Sequence, residues 1–475
     1  MKLRSLLFLP LAASESGPLV HVLNGTYLGR HLPSFSQDLF LGIPFAHTSL
    51  LSNPTSLNTS WGRNPPRSAE WPGPTCYPPD PVAARVTNIT SVSADCLNLN
   101  IIRPSPSSLP KDKKIAVVVW FYGGGFADGF GADFNSNYSY IIRASVAQNM
   151  PIMAVTLNYR VGFLGFPGGK DAKSQGVTNL GLKDQRMALR WVKENIAAFG
   201  GDPEKITVWG QSAGAQSVVY QLLAYYSHGG TRNKEKLFRS GVMSSGSIGI
   251  GNTWRVDDER QENSFQKILN ATGCLGAADA LDCVRKVPVT ELWEKSSEVG
   301  GIFTWHPATD DDFIVKAPTL QVLDGEFERD VPLLAGTNSE EGFAWAEGLT
   351  AATQKGVETE EELRQILKGR FPLARNETID LVLRTYPIDG PSPPYAMPTP
   401  DPRFCEALEA VGMKCGAQYR RLAAIMGDWS LIYGRRVLAK KYAEYGIPFY
   451  SYRQVAPVSP HTQPSLEKFL AEVKC

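Results

Sequence analysis

Apolar positions in the central part of the chain fall into two alternating patterns. "IAVVVWFY" (Ile115 to Tyr122) and "IMAVTL" (Ile152 to Leu157) are short, continuous apolar runs rich in β-branched residues. That pattern predicts strands covered on both faces. From Asp184 the period changes: Leu189, Val192, Ile196 and Phe199 recur at helical spacing, and Gly200-Gly201 closes the helix. Next come the strand "ITVW", a turn around Ser212 and an apolar helix opening with "AQSVVYQLL". Later strand candidates are "GVMSS" near Val242, "VPLLAG" from Val331 and "PFYSYR" from Pro448 to Arg453. Strands alternating with helices predict an α/β fold with a mostly parallel, doubly wound sheet whose site lies at the carboxyl ends of the strands. The Pro-rich "PIDGPSPPYAMPTPDP" (Pro387 to Pro402) is read as a surface loop between helices, because periodic segments resume after it, and residues 15–475 are read as one domain.

Composition narrows the partners. A net charge of +1, from 48 basic and 47 acidic side chains, supplies no field that would recruit nucleic acid or an anionic membrane. No apolar stretch reaches the roughly 18 residues needed to cross a bilayer, so no stable membrane insertion is expected. "MKLRSLLFLPLAASES" sets Lys2 and Arg4 before a short apolar run and the small residues Ala12, Ala13 and Ser14, which reads as a secretory signal peptide over residues 1–14. Sequons at Asn24, Asn58, Asn88, Asn137, Asn270 and Asn376 fit an exported glycoprotein. Six of the seven cysteines fall into three pairs close in sequence, which suits disulfide-closed loops in an oxidising compartment, and none has zinc-site spacing. The expected location is extracellular.

The candidate chemistry centres on "GQSAG". A strand, then Gly210-Gln211-Ser212-Ala213-Gly214, then a helix lets a strained elbow present the Ser212 hydroxyl as a nucleophile. "FYGGGFADG" follows directly on the Ile115 strand. Its side-chain-free backbone can turn N–H groups of Gly124 and Gly125 towards a reacting carbonyl, with the N–H of Ala213 completing an oxyanion hole. No GK[ST] follows the glycines, which argues against a phosphate loop.

"FGGDPEKITVWGQSAGAQSV", preceded by "NLGLKDQRMALRWVKENIAAF" and accompanied by "SADCLNLNIIRP", "YGGGF" and "NYRVGFLGF", resembles the type B carboxylesterase and cholinesterase-like family of α/β-hydrolases, its fungal esterases and lipases above all. The resemblance covers most of the chain to about Arg453. It implies an α/β-hydrolase fold, a secreted serine hydrolase of carboxylic esters that uses neither cofactor nor metal, and disulfides Cys76 to Cys96 and Cys274 to Cys283. It also implies an acid at Glu341, directly before Gly342 in "VPLLAGTNSEEGF", while Glu340 reads as solvated surface. Ala94 stands where the family usually has Glu, which removes a structural ion pair, and Gln211 replaces the commoner Glu beside the nucleophile. Between Cys76 and Cys96 there is no Trp to meet a choline cation, which argues against a cholinesterase, and the few large apolar side chains of this loop favour an esterase of modest, soluble substrates over a lidded lipase.

The base is the open point. Chain order in this fold is nucleophile, acid, histidine, and only His461 among the six histidines follows Glu341. It comes soon after Arg453, behind Pro460, in a C-terminus that reads as shortened against the family. Either His461 serves, or the tail has lost the base, and the local text favours the second. A lidded lipase, and a catalytically impaired cholinesterase-like binding protein lacking the triad histidine, stand as alternatives. "DDD" at Asp310 to Asp312 reads as a polar turn.

Overall fold

The structure, a computed structural model, describes residues 17–77, 91–109, 113–133, 137–226, 235–248, 254–299, 304–339, 341–342, 346, 356–371, 374–388 and 416–454. The signal-peptide reading, Cys405, Cys415, Cys475 and His461 lie outside the described residues, as does most of the Pro-rich segment.

A nine-stranded sheet carries the molecule. Its strands are β1 (Arg30–Leu32), β2 (Gln37–Pro44), β3 (Asn98–Pro104), β4 (Ile115–Phe121), β5 (Ile152–Leu157), β6 (Gly201–Gln211), β7 (Ser240–Ser244), β8 (Leu333–Asn338) and β9 (Phe449–Gln454). They lie in the order β9-β8-β7-β6-β4-β5-β3-β2-β1. From β5 across to β9 every pairing is parallel, and β1, β2 and β3 extend the other edge antiparallel. The mostly parallel sheet expected from the sequence is therefore present, with a mixed edge. Register matters for the site. Phe121 pairs with Gly210, Gly210 with Met243, Met243 with Ala335 and Ala335 with Ser451, so the four chain segments leaving β4, β6, β7 and β8 emerge at one edge.

The sheet's two faces are packed unequally. On one, Val117, Val119, Phe121, Ile206, Val208, Met243 and Leu333 are fully buried under helices α2 (Leu180–Asn195) and α3 (Ala213–Leu223). Burying side chains of this size contributes roughly 1.5–3 kcal/mol each. On the other, Leu39, Ile102 and Ala154 pack with Tyr138 and Ile142 around α1 (Ser139–Ala147). Val118, Trp120, Thr207, Trp209, Val242 and Leu334 are only half-buried, so full cover on both faces, as expected for β4, is not what the described residues show. The strand β4 alternates buried and half-buried positions because its neighbours load one face more heavily.

α2 runs on as a 3-10 turn to Phe199 and stops at Gly200, which takes φ 87°, a left-handed conformation that glycine adopts without steric cost. Beyond the sheet, α4 (Glu360–Arg370), α5 (Asn376–Thr385) and α6 (Tyr419–Gly427) form a second apolar cluster around Leu363, Leu367, Ile379, Leu383 and Leu422. α4 opens with a reciprocal capping box, Thr359 to the Glu362 N–H and Glu362 back to the Thr359 N–H. Among the described residues, α5 precedes the Pro-rich stretch in the chain and α6 follows it. Disulfides join Cys76 to Cys96 and Cys274 to Cys283, both as the resemblance implied.

Candidate active site

Ser212 sits between β6 and α3 with φ 55° and ψ −122°, a backbone state that costs a non-glycine residue about 1–3 kcal/mol. The neighbours show what holds it there. A Cβ on Gly210 would lie 2.2 Å from the Gly214 carbonyl, and one on Gly214 would lie 2.0 Å from the Phe121 oxygen. Only glycine lets the turn close this tightly. The Ser212 N–H donates to the Ser244 carbonyl at 3.0 Å, and its own carbonyl accepts from Gln216. Among the described residues no group hydrogen-bonds the Ser212 hydroxyl.

The glycine run comes close to this turn: a Cβ on Gly123 would stand 3.1 Å from the Ser212 Cβ. Gly124 and Gly125 have φ of 97° and 64°, so the backbone reverses there, and the Gly124 carbonyl accepts from the N–H groups of Ala127 and Asp128. The N–H groups of Gly124, Gly125 and Ala213 donate no hydrogen bond among the described residues, which leaves them open to an incoming oxygen. A paired-tyrosine clasp fixes the base of the run. Tyr122 and Tyr159 stack at 4.0 Å, the Tyr122 hydroxyl donates to the Tyr159 carbonyl, and the Tyr159 hydroxyl donates to the Tyr122 carbonyl. Burial pushes both phenols well above their ordinary range, so both stay protonated donors. Next to Tyr159, Arg160 makes a bidentate pair with the fully buried Asp184, at 2.8 and 2.6 Å, and its third nitrogen donates to the Ser52 carbonyl.

Glu341 lies beside β7 and β8. Its Oε1 accepts from the Ser245 hydroxyl at 2.7 Å and from the Asn338 N–H at 2.6 Å, while Oε2 has no hydrogen-bond partner among the described residues. A carboxylate with one oxygen anchored and the other free is suited to receive an imidazole N–H. Ser244 and Ser245 therefore touch both ends of the arrangement, one holding Ser212 through its carbonyl and the other holding Glu341 through its hydroxyl. Behind the acid, Gly342 is pressed against α6, where a Cβ would lie 1.7 Å from the Ala423 oxygen. Tyr452 on β9 hydrogen-bonds Ser244, and burial, with the Glu341 charge adding to it, holds its phenol above the usual range. Glu340 lies outside the described residues.

No described histidine reaches the site. His21 bonds Thr26, His31 bonds Asp38, and His306 bonds the Pro307 carbonyl, its pKa lowered by burial. His47 stands exposed on a short strand, and His228 and His461 lie outside the described residues. The "DDD" stretch is more than a polar turn: Asp310 is buried and accepts from Thr178 and Asn179, while Asp311 pairs with Arg255 and Lys173. Sequence reading also missed Ser245, although "GVMSS" followed by Gly246 carried the signal of a strand ending in small, hydrogen-bonding residues. The Tyr122–Tyr159 clasp carried none, since reciprocal bonding between distant tyrosines has no local signature. Among the described residues no cluster of His, Cys, Asp and Glu is placed to hold a metal, and no helix is long and apolar enough to cross a membrane.

A parallel sheet with a strained serine elbow, open backbone donors and an anchored carboxylate at its carboxyl edge defines the α/β-hydrolase class. The chain belongs to the carboxylesterase family, whose model matches residues 16–471, and it is by class a carboxylic ester hydrolase. It is similar to Lipase 4 of Diutina rugosa, 31% identical over 463 residues that cover 92% of this chain and 79% of that protein. It is also similar to the secreted triacylglycerol lipase LIP1 of Gibberella zeae, 32% identical over 368 residues, and spans 58% of that longer protein. The crystal structure of Aspergillus niger EstA superposes with a TM-score of 0.73 at 26% identity, covering 93% of this chain and 78% of EstA.

Proposed function

We propose that the protein is an extracellular serine hydrolase that cleaves carboxylic esters through an acyl-enzyme, with Ser212 as nucleophile, Gly124, Gly125 and Ala213 as oxyanion donors and Glu341 as the acid of the triad. The strained Ser212 elbow facing unused backbone N–H groups carries the reading. A base takes the Ser212 proton as Oγ attacks the ester carbon, and the same proton passes to the departing alkoxide as the carbon–oxygen bond breaks. The Gly124, Gly125 and Ala213 N–H groups take up the charge that develops on the carbonyl oxygen. Water, deprotonated by the same base, then releases the acid and restores the hydroxyl. Chain order nominates His461 for the base, and Glu341 Oε2 is the oxygen that would orient it. Relatives named lipases support esters of longer acyl chains alongside soluble ones.

A second reading is a binding protein on a hydrolase scaffold, which the setting of His461, behind Pro460 and soon after Arg453, favours. Labelling with a fluorophosphonate, followed by peptide mass analysis, separates the two. The hydrolase reading expects a covalent adduct on Ser212 and turnover of p-nitrophenyl butyrate, with both lost in Ser212→Ala. It expects His461→Ala to lower turnover by several powers of ten. A folded wild type that neither labels nor turns over ester sinks it.

A further inference from the structure

Strand β9 lies at the edge of the sheet and, among the described residues, pairs on one side only, with β8. The chain that leaves it runs on to His461, the candidate base. Whatever fixes this edge strand therefore bears on how the base-bearing segment starts out towards Ser212 and Glu341.

Register sets three residues in one row: Ser244 on β7 pairs with Gly336 on β8, and Gly336 pairs with Tyr452 on β9. Ser244 and Tyr452 are thus two strand spacings apart, about 9.6 Å along the sheet. The middle position spans the gap by having no side chain. A Cβ on Gly336 would stand 2.0 Å from Tyr452 Cζ, so the phenol ring lies across β8 here, and its hydroxyl meets the Ser244 hydroxyl at 3.1 Å. From the other side the indole N–H of Trp209 on β6 donates to the same Ser244 oxygen, also at 3.1 Å. One line of hydrogen bonds crosses from β6 through β7 to β9. At its centre is the residue whose carbonyl accepts from the Ser212 N–H, and the next residue, Ser245, donates to Glu341.

We propose that Tyr452 is a positioning residue for ester hydrolysis: its phenol ties the edge strand β9 to Ser244, and so holds the start of the base-bearing segment in place relative to Ser212 and Glu341. This kinetic role rests on the hydrolase reading. Glu341 and Arg435 are the charged groups that face the phenol, and burial above all keeps it protonated, so the tie itself does not titrate near neutral pH.

The test uses Tyr452→Phe, which keeps the ring over Gly336 and removes the hydroxyl alone. Tyr450→Phe is the control, since Tyr450 is exposed two residues earlier on the same strand. In nitrogen-15-labelled protein, with Trp209 assigned through Trp209→Phe, the Trp209 indole N–H resonance should move in Tyr452→Phe and stay in Tyr450→Phe, because the Ser244 hydroxyl loses a partner only in the first. With p-nitrophenyl butyrate, Tyr452→Phe should lower kcat about tenfold at unchanged KM, one hydrogen bond's worth of positioning. The acid limb of kcat/KM should move to lower pH, since a carboxylate held less firmly stabilises the protonated base less. Ser244→Ala should give the same kinetic change, and adding Tyr452→Phe to it should cost nothing further, because both break one tie. An unmoved indole resonance, additive losses, or wild-type kcat and pH profile in Tyr452→Phe overturns the proposal. A wild type that turns over no ester overturns the hydrolase reading and the role of Tyr452 with it, and that outcome is told apart because it needs no variant.

Discussion

Gly214→Ala tests whether the serine elbow is held by close packing or merely tolerated. The added methyl would stand 2.0 Å from the Phe121 oxygen and 2.8 Å from the Tyr122 oxygen, both backbone atoms, where ordinary contact begins at 3.4 Å. Relief requires a movement of about 1.4 Å between α3 and the end of β4. Phe121 leads directly into Tyr122 and the Gly123–Gly125 run, so the movement separates Ser212 from the proposed oxyanion donors Gly124 and Gly125. Misplacement of about 1 Å costs on the order of a hundredfold in rate, and overpacking costs about 1–3 kcal/mol in stability. kcat for p-nitrophenyl butyrate should therefore fall about a hundredfold or more, while urea unfolding shows the smaller loss. Gly369→Ala is the control: nothing lies within 4 Å of its added methyl on the exposed side of α4, and it should stabilise by about 0.5–1 kcal/mol without touching kcat. Wild-type kcat in Gly214→Ala, with fold and stability unchanged, would refute the packing argument.

Other perturbations separate the supports of the site. Ser245→Ala removes one of the two donors to Glu341 Oε1 and should lower kcat about tenfold with KM unchanged, as read in steady-state kinetics. Asp184→Ala leaves the Arg160 guanidinium buried without its carboxylate and should cost about 3–5 kcal/mol in urea unfolding. Asp428 has its carboxyl pKa raised by burial, so the folded state binds more protons than the unfolded chain between the ordinary value of about 3.9 and the raised one. Stability is lost as pH rises through that raised value, and Asp428→Asn should raise Tm at pH 7, with the gain vanishing below the ordinary carboxylate range.

Much of this arrangement was legible in the sequence for physical reasons. Ser212, the strand before it, the helix after it and the stop at Gly200 depend on local rules: apolar runs for parallel strands, period 3.6 for α2, and glycine where φ must be positive. The hidden parts depend on register. Gly210 opposite Phe121 and Met243 opposite Ala335 bring Ser245 to Glu341, and no window of the chain contains that pairing. The unequal sheet faces were missed for a related reason: the continuous run "IAVVVWFY" reports hydrophobicity, but not which face a helix will cover. Asp310 looked like surface because three adjacent acids usually are. Its burial comes from Thr178 and Asn179, far away in the chain.

The tripeptide Ser244-Ser245-Gly246 fastens the candidate nucleophile and the candidate acid to one short stretch of backbone. A Cβ on Gly246 would lie 2.4 Å from the Ser212 backbone carbonyl oxygen, so the stretch is also in close contact with the elbow itself. The two groups thus share a mounting, so a shift of that short backbone is passed to both. Loops bordering the substrate can then vary in length and composition without retuning the chemistry. A carrier built this way lends itself to loop exchange, with the tripeptide as the part to leave alone.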